Sequence, residues 1–502
     1  MSRALRALIR QGLEHGLPSK AGFTRRQFLK KSARTAALAA AGPALWQLGG
    51  CASTPNGGDG SSARRVVIIG AGFSGLACAD TLARHGVQVT VLEAESRPGG
   101  RVLSDRRFIP GKTVELGAEF IGTNHPIWLA YARRFRLDLM EATEETGDWA
   151  ILIDGKPLRG EQVDALYLEI DQALAQIVAL SRSIDPVRPY NSPRASELDH
   201  QTYFDFVSAL NMSDLAKKTL LASADADNGV DARQMSLLGY LAMVAGGGYE
   251  RYYTDSEIYR VNGGNDTLAR LLAESLGEKV RFNDPVRAIE RNATAAIVTT
   301  TSGLKLECDA VVLTIPPTIW GELEIRPSLD SNLHPQMGKN TKLLLAVRPP
   351  VWKQLNLKPE IVSDGLISLT WVSSQPEGDG EASLTLFSGA EAAEKICELP
   401  PADRARSAIE AISPLMPGLA DTVQRDRFVP WPLMPRTKGS YSFPAPGQVT
   451  AYGPTLVDGI VDQRAPLYFA GEHTSYAFIG YMEGALSSGV RVAQSILTRS
   501  HG

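Results

Sequence analysis

Apolar positions near residue 70 follow a strand period, then a helix period, then a strand period again. The run Val66 to Ile69 is β-branched and wholly apolar, as in a central parallel strand buried on both faces. Small and apolar residues at helical spacing predict a helix from Ser74 to His85, which Gly86 ends. Val87 to Leu92 predicts the second strand. This order is typical of a βαβ unit in an α/β fold.

Further along, the pattern becomes mainly helical and later returns to strands. Helical spacing dominates from Pro126 to about Glu257, with one predicted hairpin from Trp149 to Leu158 that turns on Asp154-Gly155. Strand alternation resumes from Lys279 to Thr314. One long amphipathic helix is predicted by apolar residues spaced three and four apart: Val163, Leu166, Ile170, Leu174 and Ile177.

Three glycines follow the first predicted strand as G-x-G-x-x-G, at Gly70, Gly72 and Gly75. The first allows a tight turn, the second lets the backbone approach a pyrophosphate, and the third lets the helix lie close to the strand. The phosphates would lie at the helix N-terminus, beside Ser74. Glu93 ends the second strand, where a carboxylate accepts hydrogen bonds from a ribose 2′-hydroxyl and repels the 2′-phosphate of NADP. The spacing predicts a dinucleotide site, and the alternative is a glycine-rich turn that binds nothing.

The residues that follow narrow the choice of dinucleotide. LEAESRPGGRV and VELGAEFIG resemble segments of the flavin-containing amine oxidase family, which includes monoamine and polyamine oxidases. The resemblance implies an α/β fold in which a Rossmann-type FAD-binding domain is interleaved with a mixed α+β substrate domain. It also implies that Gly100 and Arg101 wrap the FAD pyrophosphate and that Gly117 and Ala118 lie against the isoalloxazine ring.

Glu119 directly follows that turn and is included in the predicted cofactor site. L-amino acid oxidases of this superfamily carry an arginine just after the turn for the substrate carboxylate, and here Glu119-Phe120 stands in its place. The resemblance therefore implies a plain amine rather than an amino acid as substrate. A second ammonium reaching toward Glu119 would suit a diamine or polyamine.

Two middle segments extend the resemblance. Arg260 to Gly264 resembles the family's R-x-x-G-G turn, after which Asn265 or Asp266 is expected to cap a helix that Gly277 ends. Val286 matches the residue whose backbone contacts the adenine, and the strand ending at Thr314 leads into an I-P turn, as in the family.

The last third carries the most specific part of the resemblance. Trp431 and the segment around Ser440 resemble the stretch that lies along the flavin, and the covalent cysteine of monoamine oxidases falls on Ser440. A serine cannot form that thioether, so the expected FAD is non-covalent. Near the C-terminus, YFAGEHT and GYMEGA resemble the family's closing motif. By this resemblance Glu472 meets the ribityl or pyrophosphate part and Met482 meets the ring.

Tyr441 and Tyr481 match the two aromatic residues that form the family's cage in front of the flavin. The face of a tyrosine ring carries negative quadrupole density, which attracts an amine on its way in. The alternative interpretation is two buried tyrosines that only pack.

QMGKNTKLLLAVRPPVW resembles the family segment that carries an active-site lysine, which would be Lys342. Strand alternation places Lys342 on one face with Leu344 and Ala346, so its amine would end in a partly dry site. In the family this lysine reaches the flavin N5 through a water molecule. The alternatives are a surface lysine on an edge strand and, if the register slips, Lys339 in its place.

The first 51 residues have the pattern of an export signal rather than of a fold. Thr24 to Lys30 matches the twin-arginine pattern, and Thr35 to Leu48 is apolar but too short to span a membrane. Leu48-Gly49-Gly50-Cys51 resembles a lipobox, in which Cys51 is lipidated, and the alternative is an ordinary cysteine in a disordered leader. Ala52 to Ala63 has the composition of a flexible tether.

Charge and composition exclude several other functions. The formal charge of the chain is −3, and residues 1–50 hold nine Lys or Arg against one Glu, so the rest of the chain carries a formal charge of −11 and nucleic acid is disfavoured as a partner. Cys78, Cys308 and Cys397 are odd in number and form no C-x-x-C pair. Neither a disulfide framework nor a metal site is predicted, because the histidines also lack ligand spacing.

These observations predict an exported FAD-dependent amine oxidase of the periplasm or cell envelope, with lipidated Cys51 as a candidate membrane anchor. Hydride would leave the amine α-carbon for flavin N5, and the imine would hydrolyse to a carbonyl compound. Oxygen, giving hydrogen peroxide, or an envelope electron carrier would reoxidise the flavin, and the twin-arginine machinery would be a partner. The alternatives are a desaturase or porphyrinogen-oxidase type flavoenzyme and a non-catalytic FAD-bound envelope protein.

The chain is predicted to divide into a signal peptide (1–51), a tether (52–63), three FAD-binding segments (64–125, 258–325 and 446–502) and two substrate segments (126–257 and 326–445).

Overall fold

The computed structural model describes residues 8–9, 12–13, 16–23, 64–142, 147–374 and 380–499. The twin-arginine sequence, the apolar stretch after it, Cys51 and the predicted tether lie outside these residues, and their roles stay predictions. Within the described part of the chain, we found no helix with the length and apolar character needed to cross a bilayer.

The strands of the described residues form three sheets of four to seven strands and two small strand pairs. In chain order they are β1 (Arg65–Ile69), β2 (Gln88–Leu92), β3 (Ser104–Ile109), β4 (Lys112–Glu115), β5 (Leu139–Glu141), β6 (Asp148–Ile153), β7 (Lys156–Arg159), β8 (Tyr259–Val261), β9 (Val280–Arg281), β10 (Val286–Arg291), β11 (Ala296–Thr300), β12 (Lys305–Cys308), β13 (Ala310–Leu313), β14 (Glu324–Arg326), β15 (Asn340–Val347), β16 (Leu357–Ser363), β17 (Leu369–Val372), β18 (Ala382–Gly389), β19 (Val423–Pro430) and β20 (Leu467–Phe469).

The α-helices connect and cover these sheets. In chain order they are α1 (Phe73–Arg84), α2 (Pro126–Phe135), α3 (Glu161–Ser181), α4 (Ala195–His200), α5 (Tyr203–Ala209), α6 (Asp214–Asn228), α7 (Leu237–Gly246), α8 (Glu250–Asp255), α9 (Asp266–Leu276), α10 (Val351–Gln354), α11 (Ala390–Glu398), α12 (Pro401–Ile412), α13 (Gln448–Asp458) and α14 (Met482–Thr498).

A five-stranded parallel sheet in the order β20-β13-β1-β2-β9 carries the predicted βαβ unit. Val66 and Ile68 of β1 pack with α1 and α14, whereas Val67 and Ile69 pack with the four-stranded sheet β12-β11-β10-β14. The central strand is therefore buried on both faces, as predicted. The five strands come from all three segments predicted to form the FAD-binding domain.

A second layer contains a seven-stranded sheet in the order β19-β15-β18-β17-β16-β6-β7. β15 lies in its interior, between β18 and β19, so the edge-strand alternative for Lys342 is wrong. Its alternate residues face two different apolar clusters, and Leu344 and Ala346 share the face toward β3, β4 and Trp431. The strands of this sheet come from the two predicted substrate segments.

Two local predictions within the substrate segments are confirmed. β6 and β7 form an antiparallel hairpin, and its turn places Asp154 and Gly155 at φ values of 51° and 68°. Positive φ at both central residues is the geometry of a tight hairpin turn. The long amphipathic helix is α3, which buries Val163, Ile170 and Ile177 among the surrounding helices.

The sequence pattern predicts that the first 51 residues form an export signal and not part of the fold, but some of them pack in the protein core. Leu8, Ile9, Leu13 and Phe23 are buried in the apolar cluster that contains α3. These residues of the leader therefore belong to the core formed by α3 and its neighbouring helices.

Candidate functional site

A cavity of about 730 Å³ opens at the carboxyl edge of the parallel sheet and reaches the seven-stranded sheet. One part of the cavity, which we call the glycine end, is lined by residues that follow four of the parallel strands: Gly70, Glu93, Thr314 and Gly471. Tyr441 and Tyr481 line the opposite part, which we call the tyrosine end, together with Lys342, Phe120 and Trp371. The cavity thus joins most of the residues that the sequence singled out.

The glycine turn has the geometry that its spacing predicted. Gly70 adopts a φ of 105°, and a Cβ at Gly75 would lie 2.0 Å from the Gly70 oxygen, so neither position accepts a side chain without strain. A Cβ at Gly72 would meet nothing within 4 Å, because this residue faces the cavity. No described side chain caps the N-terminus of α1, and buried Ser74 lies in its first turn. The first N–H groups of α1 can therefore bind an anion.

Glu93 lines the cavity just beyond β2. Its carboxylate accepts hydrogen bonds from the Ala71 N–H at 2.6 Å and the Glu95 N–H at 2.8 Å. Burial raises the pKa of this carboxyl, although the two backbone bonds oppose that shift. Val286 lines the same cavity at the start of β10.

The R-P-G-G-R segment lies against the glycine turn. The Gly99 N–H donates to the Ala71 oxygen at 2.8 Å, and a Cβ at Gly100 would lie 3.7 Å from the Gly72 Cα. Arg101 forms an ion pair of 2.9 Å with Glu472 and donates to the Ser440 oxygen. The structure thus places the Arg101 charge next to the segment predicted to lie along the flavin.

Glu472 is almost fully buried, and its carboxylate accepts several hydrogen bonds. Its carboxylate accepts from the Ser442 hydroxyl at 2.7 Å and the Gly480 N–H at 2.9 Å. Burial raises the pKa of this carboxyl, but Arg101, His473 and the hydrogen bonds outweigh burial and lower it. Glu472 is therefore an ionised link between Arg101 and the segments that carry Tyr441 and Tyr481.

Gly117 and Ala118 form a tight turn between the two ends of the cavity. A Cβ at Gly117 would lie 2.0 Å from the Arg101 oxygen and 3.1 Å from the Trp431 ring. The Ala118 N–H donates to the same Arg101 oxygen at 3.2 Å, and the Trp431 indole donates to the Leu116 oxygen at 3.0 Å. Met482 lines the cavity at the first position of α14.

Lys342 is buried, and its amine makes three short contacts. It donates to the backbone oxygen of Glu115 at 3.0 Å, to the backbone oxygen of Gly117 at 2.8 Å and to the side-chain carboxylate of Glu119 at 2.9 Å. An ammonium has three N–H donors, so all of them have partners within the protein. These contacts hold the Lys342 amine at the Gly117 turn, and the predicted water bridge toward the flavin stays a prediction. The rival Lys339 is exposed and pairs with Glu394.

Glu119 also has partners within the protein, and its predicted role as an anchor for a second substrate ammonium stays a prediction. Its side chain is 2% exposed and pairs with Lys342 and with Arg260, the latter at 3.1 Å. The Trp371 indole donates to the same carboxylate at 3.0 Å. The physical reason is charge compensation, since a carboxylate at this depth needs a partner within the protein.

Tyr441 and Tyr481 lie together at the tyrosine end. The Tyr441 ring packs on Gly480, whose Cβ would lie 3.1 Å from it, and Tyr481 is the next residue. Burial raises the pKa of both hydroxyls, and the charges of Asp227 and Glu257 raise it further. Both phenols are therefore neutral at physiological pH.

Asp227 and Glu257 line the cavity near these tyrosines, and no motif in the sequence pointed to either of them. Asp227 lies near the end of α6, and Glu257 lies between α8 and β8. Arg260 and Trp371, which complete the Glu119 network, were also missed as site residues. These four residues come from distant segments of the chain, so only the tertiary fold brings them together.

The residues around the cavity fit FAD. The glycine end offers uncapped helix N–H groups, an open approach at Gly72 and the buried carboxylate of Glu93. The turn at Gly117, Trp431 and Met482 offers a wall for a flat ring. Ser440 is buried beside this wall and is not a residue that forms a thioether.

Comparisons with known proteins agree with this geometry. The family model of flavin containing amine oxidoreductases matches residues 73–497. Amine oxidase [flavin-containing] A of the horse Equus caballus is 26% identical over 456 residues, which cover 86% of this chain and 84% of that protein. A putative flavin-containing monoamine oxidase of Mycobacterium tuberculosis is 27% identical over 459 residues, covering 86% of this chain and 96% of that protein. A solved structure of wild-type putrescine oxidase bound to putrescine has a TM-score of 0.79 and 23% identity, covering 87% of this chain and all of that one.

Proposed function

The chain belongs to the flavin-containing amine oxidase family and is an FAD-dependent enzyme that acts on amines, and we propose that it oxidises a cationic amine at the tyrosine end while binding FAD without a covalent bond. The observation that carries the proposal is one continuous cavity that begins at the glycine turn and ends at Tyr441 and Tyr481. A dinucleotide held at the glycine end would leave the tyrosine end for a substrate.

The bound FAD supplies the two-electron oxidation of the amine to an imine, which water hydrolyses to a carbonyl compound. The chain's own residues prepare the site. Tyr441 and Tyr481 present ring faces between which an amine is held, and their neutral hydroxyls place no charge there. Lys342 and Arg260 fix Glu119, and Lys342 also holds the Gly117 turn through its backbone oxygen. Lys342 is thus a positioning residue for this turn.

The carboxylates at the tyrosine end support a substrate with a second positive charge. Asp227 and Glu257 both contribute negative charge near the two tyrosines. In an enclosed cavity such charges attract ammonium groups more strongly than they do in bulk water. A diamine or polyamine would place one nitrogen next to the oxidised carbon and another toward these carboxylates.

Anaerobic flavin bleaching tests the proposal. Purified holoenzyme is mixed without oxygen with monoamines, diamines, amino acids and porphyrinogens. We expect amines to bleach the flavin absorbance and the other two classes to leave it unchanged. Bleaching by porphyrinogens alone would favour the alternative oxidase type, and no bleaching by any compound would favour a non-catalytic flavoprotein. Acid precipitation should release all of the FAD, because Ser440 replaces the covalent cysteine.

Export and the oxidant are further parts of this proposal and rest on the sequence. The twin-arginine route carries folded proteins, which suits an enzyme that takes up FAD in the cytosol. Replacing Arg25 and Arg26 with Lys should leave holoenzyme in the cytoplasm, and Cys51→Ala should release the exported enzyme from the membrane fraction. Unchanged fractionation of either variant would reject that part. Peroxide formation during turnover identifies oxygen as the oxidant, and its absence favours an envelope electron carrier.

A further inference from the structure

The described residues 8–9, 12–13 and 16–23, which we call the N-terminal arm, pack against α3 and its neighbouring helices. Four apolar side chains carry this packing, with exposed fractions between 0% and 6%: Leu8, Ile9, Leu13 and Phe23. They belong to the same apolar cluster as α3 and Tyr253. The Phe23 ring meets the Tyr253 ring edge to face, with centroids 5.9 Å apart. The arm therefore contributes apolar burial to the substrate part of the molecule.

A buried carboxylate fixes the arm in one position. Asp171 of α3 is 2% exposed, and its two oxygens accept from the Ser19 hydroxyl at 2.8 Å and from the Lys20 N–H at 2.5 Å. The Ser19 hydroxyl also accepts from the Phe23 N–H at 3.0 Å, which closes a turn within the arm. Without the arm, Asp171 would lose both of these donors and lie among apolar neighbours, which is unfavourable for a carboxylate.

The arm also matches the shape of α3. A Cβ at Gly12 would lie 2.2 to 2.5 Å from three atoms of the Tyr167 ring, and Tyr167 is fully buried. Only a glycine lets the arm backbone approach this ring so closely. Apolar burial, paired donors and shape complementarity are thus found together at one interface, as at a binding surface.

We propose that α3 and Tyr253 form a docking site for the N-terminal arm, and that the arm stays bound to the enzyme even when the chain is cut after it. Phe23 precedes Arg25 by two residues, so the arm and the predicted export signal lie on the same segment. A leader that is cut and lost would uncover the apolar face of α3 and the Asp171 carboxylate. Retention of the arm keeps both covered. The inference does not depend on amine oxidation or on export.

A cleavable linker in the full-length holoenzyme tests this. A protease recognition sequence is inserted between Gly57 and Gly58, the purified protein is cut, and the products are separated by size exclusion and identified by mass spectrometry. We expect the N-terminal fragment to co-elute with the flavin-containing body in equal amounts. A wild-type fragment that elutes separately would overturn the proposal.

The variant Gly12→Leu tests whether retention of the fragment depends on this interface, because its leucine side chain would collide with the Tyr167 ring. We expect it to weaken retention of the fragment at least tenfold, while flavin absorbance shows that the body is folded. Gly321→Leu is the matched control, since a Cβ there meets nothing within 4 Å, and it should retain the fragment. Retention by Gly12→Leu equal to that of wild type would show that the fragment binds elsewhere and would overturn the docking geometry. If Gly12→Leu does not fold, Ser19→Ala provides the same comparison, with a smaller expected loss of retention.

Discussion

The two ends of the cavity are built in different ways. The glycine end uses backbone groups and residues close in sequence, and Ala71 and Glu93, which bond directly, are 22 residues apart. The tyrosine end uses side chains from remote elements, and Lys342 and Glu119 are 223 residues apart. A backbone site depends on the absence of side chains, whereas a side-chain site depends on their charges being matched. Substitutions should therefore damage the two ends by different mechanisms.

The largest expected effect is at the buried charges beside the tyrosine end. Lys342→Met removes one partner of a buried ion pair and leaves Glu119 with Arg260 and Trp371. Breaking a buried pair costs on the order of 3 to 5 kcal/mol in the free energy of unfolding, and we expect the lower end of this range because Arg260 still pairs with Glu119. Urea unfolding measures the loss, and stopped-flow flavin reduction should slow because the Gly117 turn is no longer held.

The double variant Lys342→Met/Glu119→Gln is the control for charge. Glu119 keeps the Arg260 charge in Lys342→Met, and its replacement by Gln takes that counter-charge from the buried Arg260, so the double variant should be less stable than Lys342→Met. A double variant as stable as Lys342→Met would show that the Glu119–Arg260 pair contributes nothing to stability.

The next effect is a pH dependence at Glu115, which lies between the two ends. Burial raises the pKa of its carboxyl from 4.5 to about 7. Between these values the folded protein holds a proton that the unfolded chain has released, so stability falls as pH rises from about 4.5 to about 7. Glu115→Gln keeps partners for the Asn265 N–H and the Ser104 hydroxyl but removes this titration.

The stability of Glu115→Gln relative to wild type should therefore increase between pH 5 and pH 8, by at most about 3 kcal/mol. Urea unfolding at the two pH values measures it. The exposed Glu278→Gln should show no such change, and an equal response of both variants would contradict the assignment to Glu115.

The same contrast explains what the sequence could and could not predict. The βαβ unit, the glycine turn and the hairpin at Asp154 depend on local spacing, so they could be predicted closely. Burial of Lys342 followed from strand alternation, because period two places it with Leu344 and Ala346. Its pairing with Glu119, and the placement of Arg260 and Asp227, depend on contacts between remote segments that no local pattern encodes. Packing of the N-terminal arm was missed because its sequence also suits a leader.

A smaller effect is expected at the cage. Tyr441→Ala and Tyr481→Ala should each reduce the rate of anaerobic flavin reduction by amines about five- to a hundred-fold, or roughly 1 to 3 kcal/mol, through the lost aromatic contact. FAD content should change little, because neither ring belongs to the glycine end. Tyr→Phe variants keep the ring and should retain most of the rate. A Phe variant as slow as the Ala variant would assign the effect to the hydroxyl instead.

Gly72→Ala tests the glycine end without straining the protein. A Cβ there meets no protein atom within 4 Å, so the variant should fold with wild-type stability. The new methyl group would lie where a pyrophosphate approaches the backbone. The affinity for FAD should therefore fall about tenfold, or about 1.4 kcal/mol, in a fluorescence titration of the apoprotein. Gly75→Ala, in contrast, collides with the Gly70 oxygen and should also lose stability. Unchanged FAD affinity of Gly72→Ala would mean that the cofactor does not pass this residue.

The smallest effect concerns substrate choice at the tyrosine end, where charge acts without direct bonding to the reacting carbon. Asp227→Asn and Glu257→Gln each remove one negative charge near the cage while keeping shape. A partly exposed charge contributes on the order of 1 kcal/mol or less, so the ratio of kcat/KM for a diamine to that for a monoamine should fall about three- to five-fold. The fall should come from KM and weaken at high salt, because it reflects attraction of the second ammonium. Equal losses for both substrates would mean that these carboxylates act on the cage rather than on the second charge.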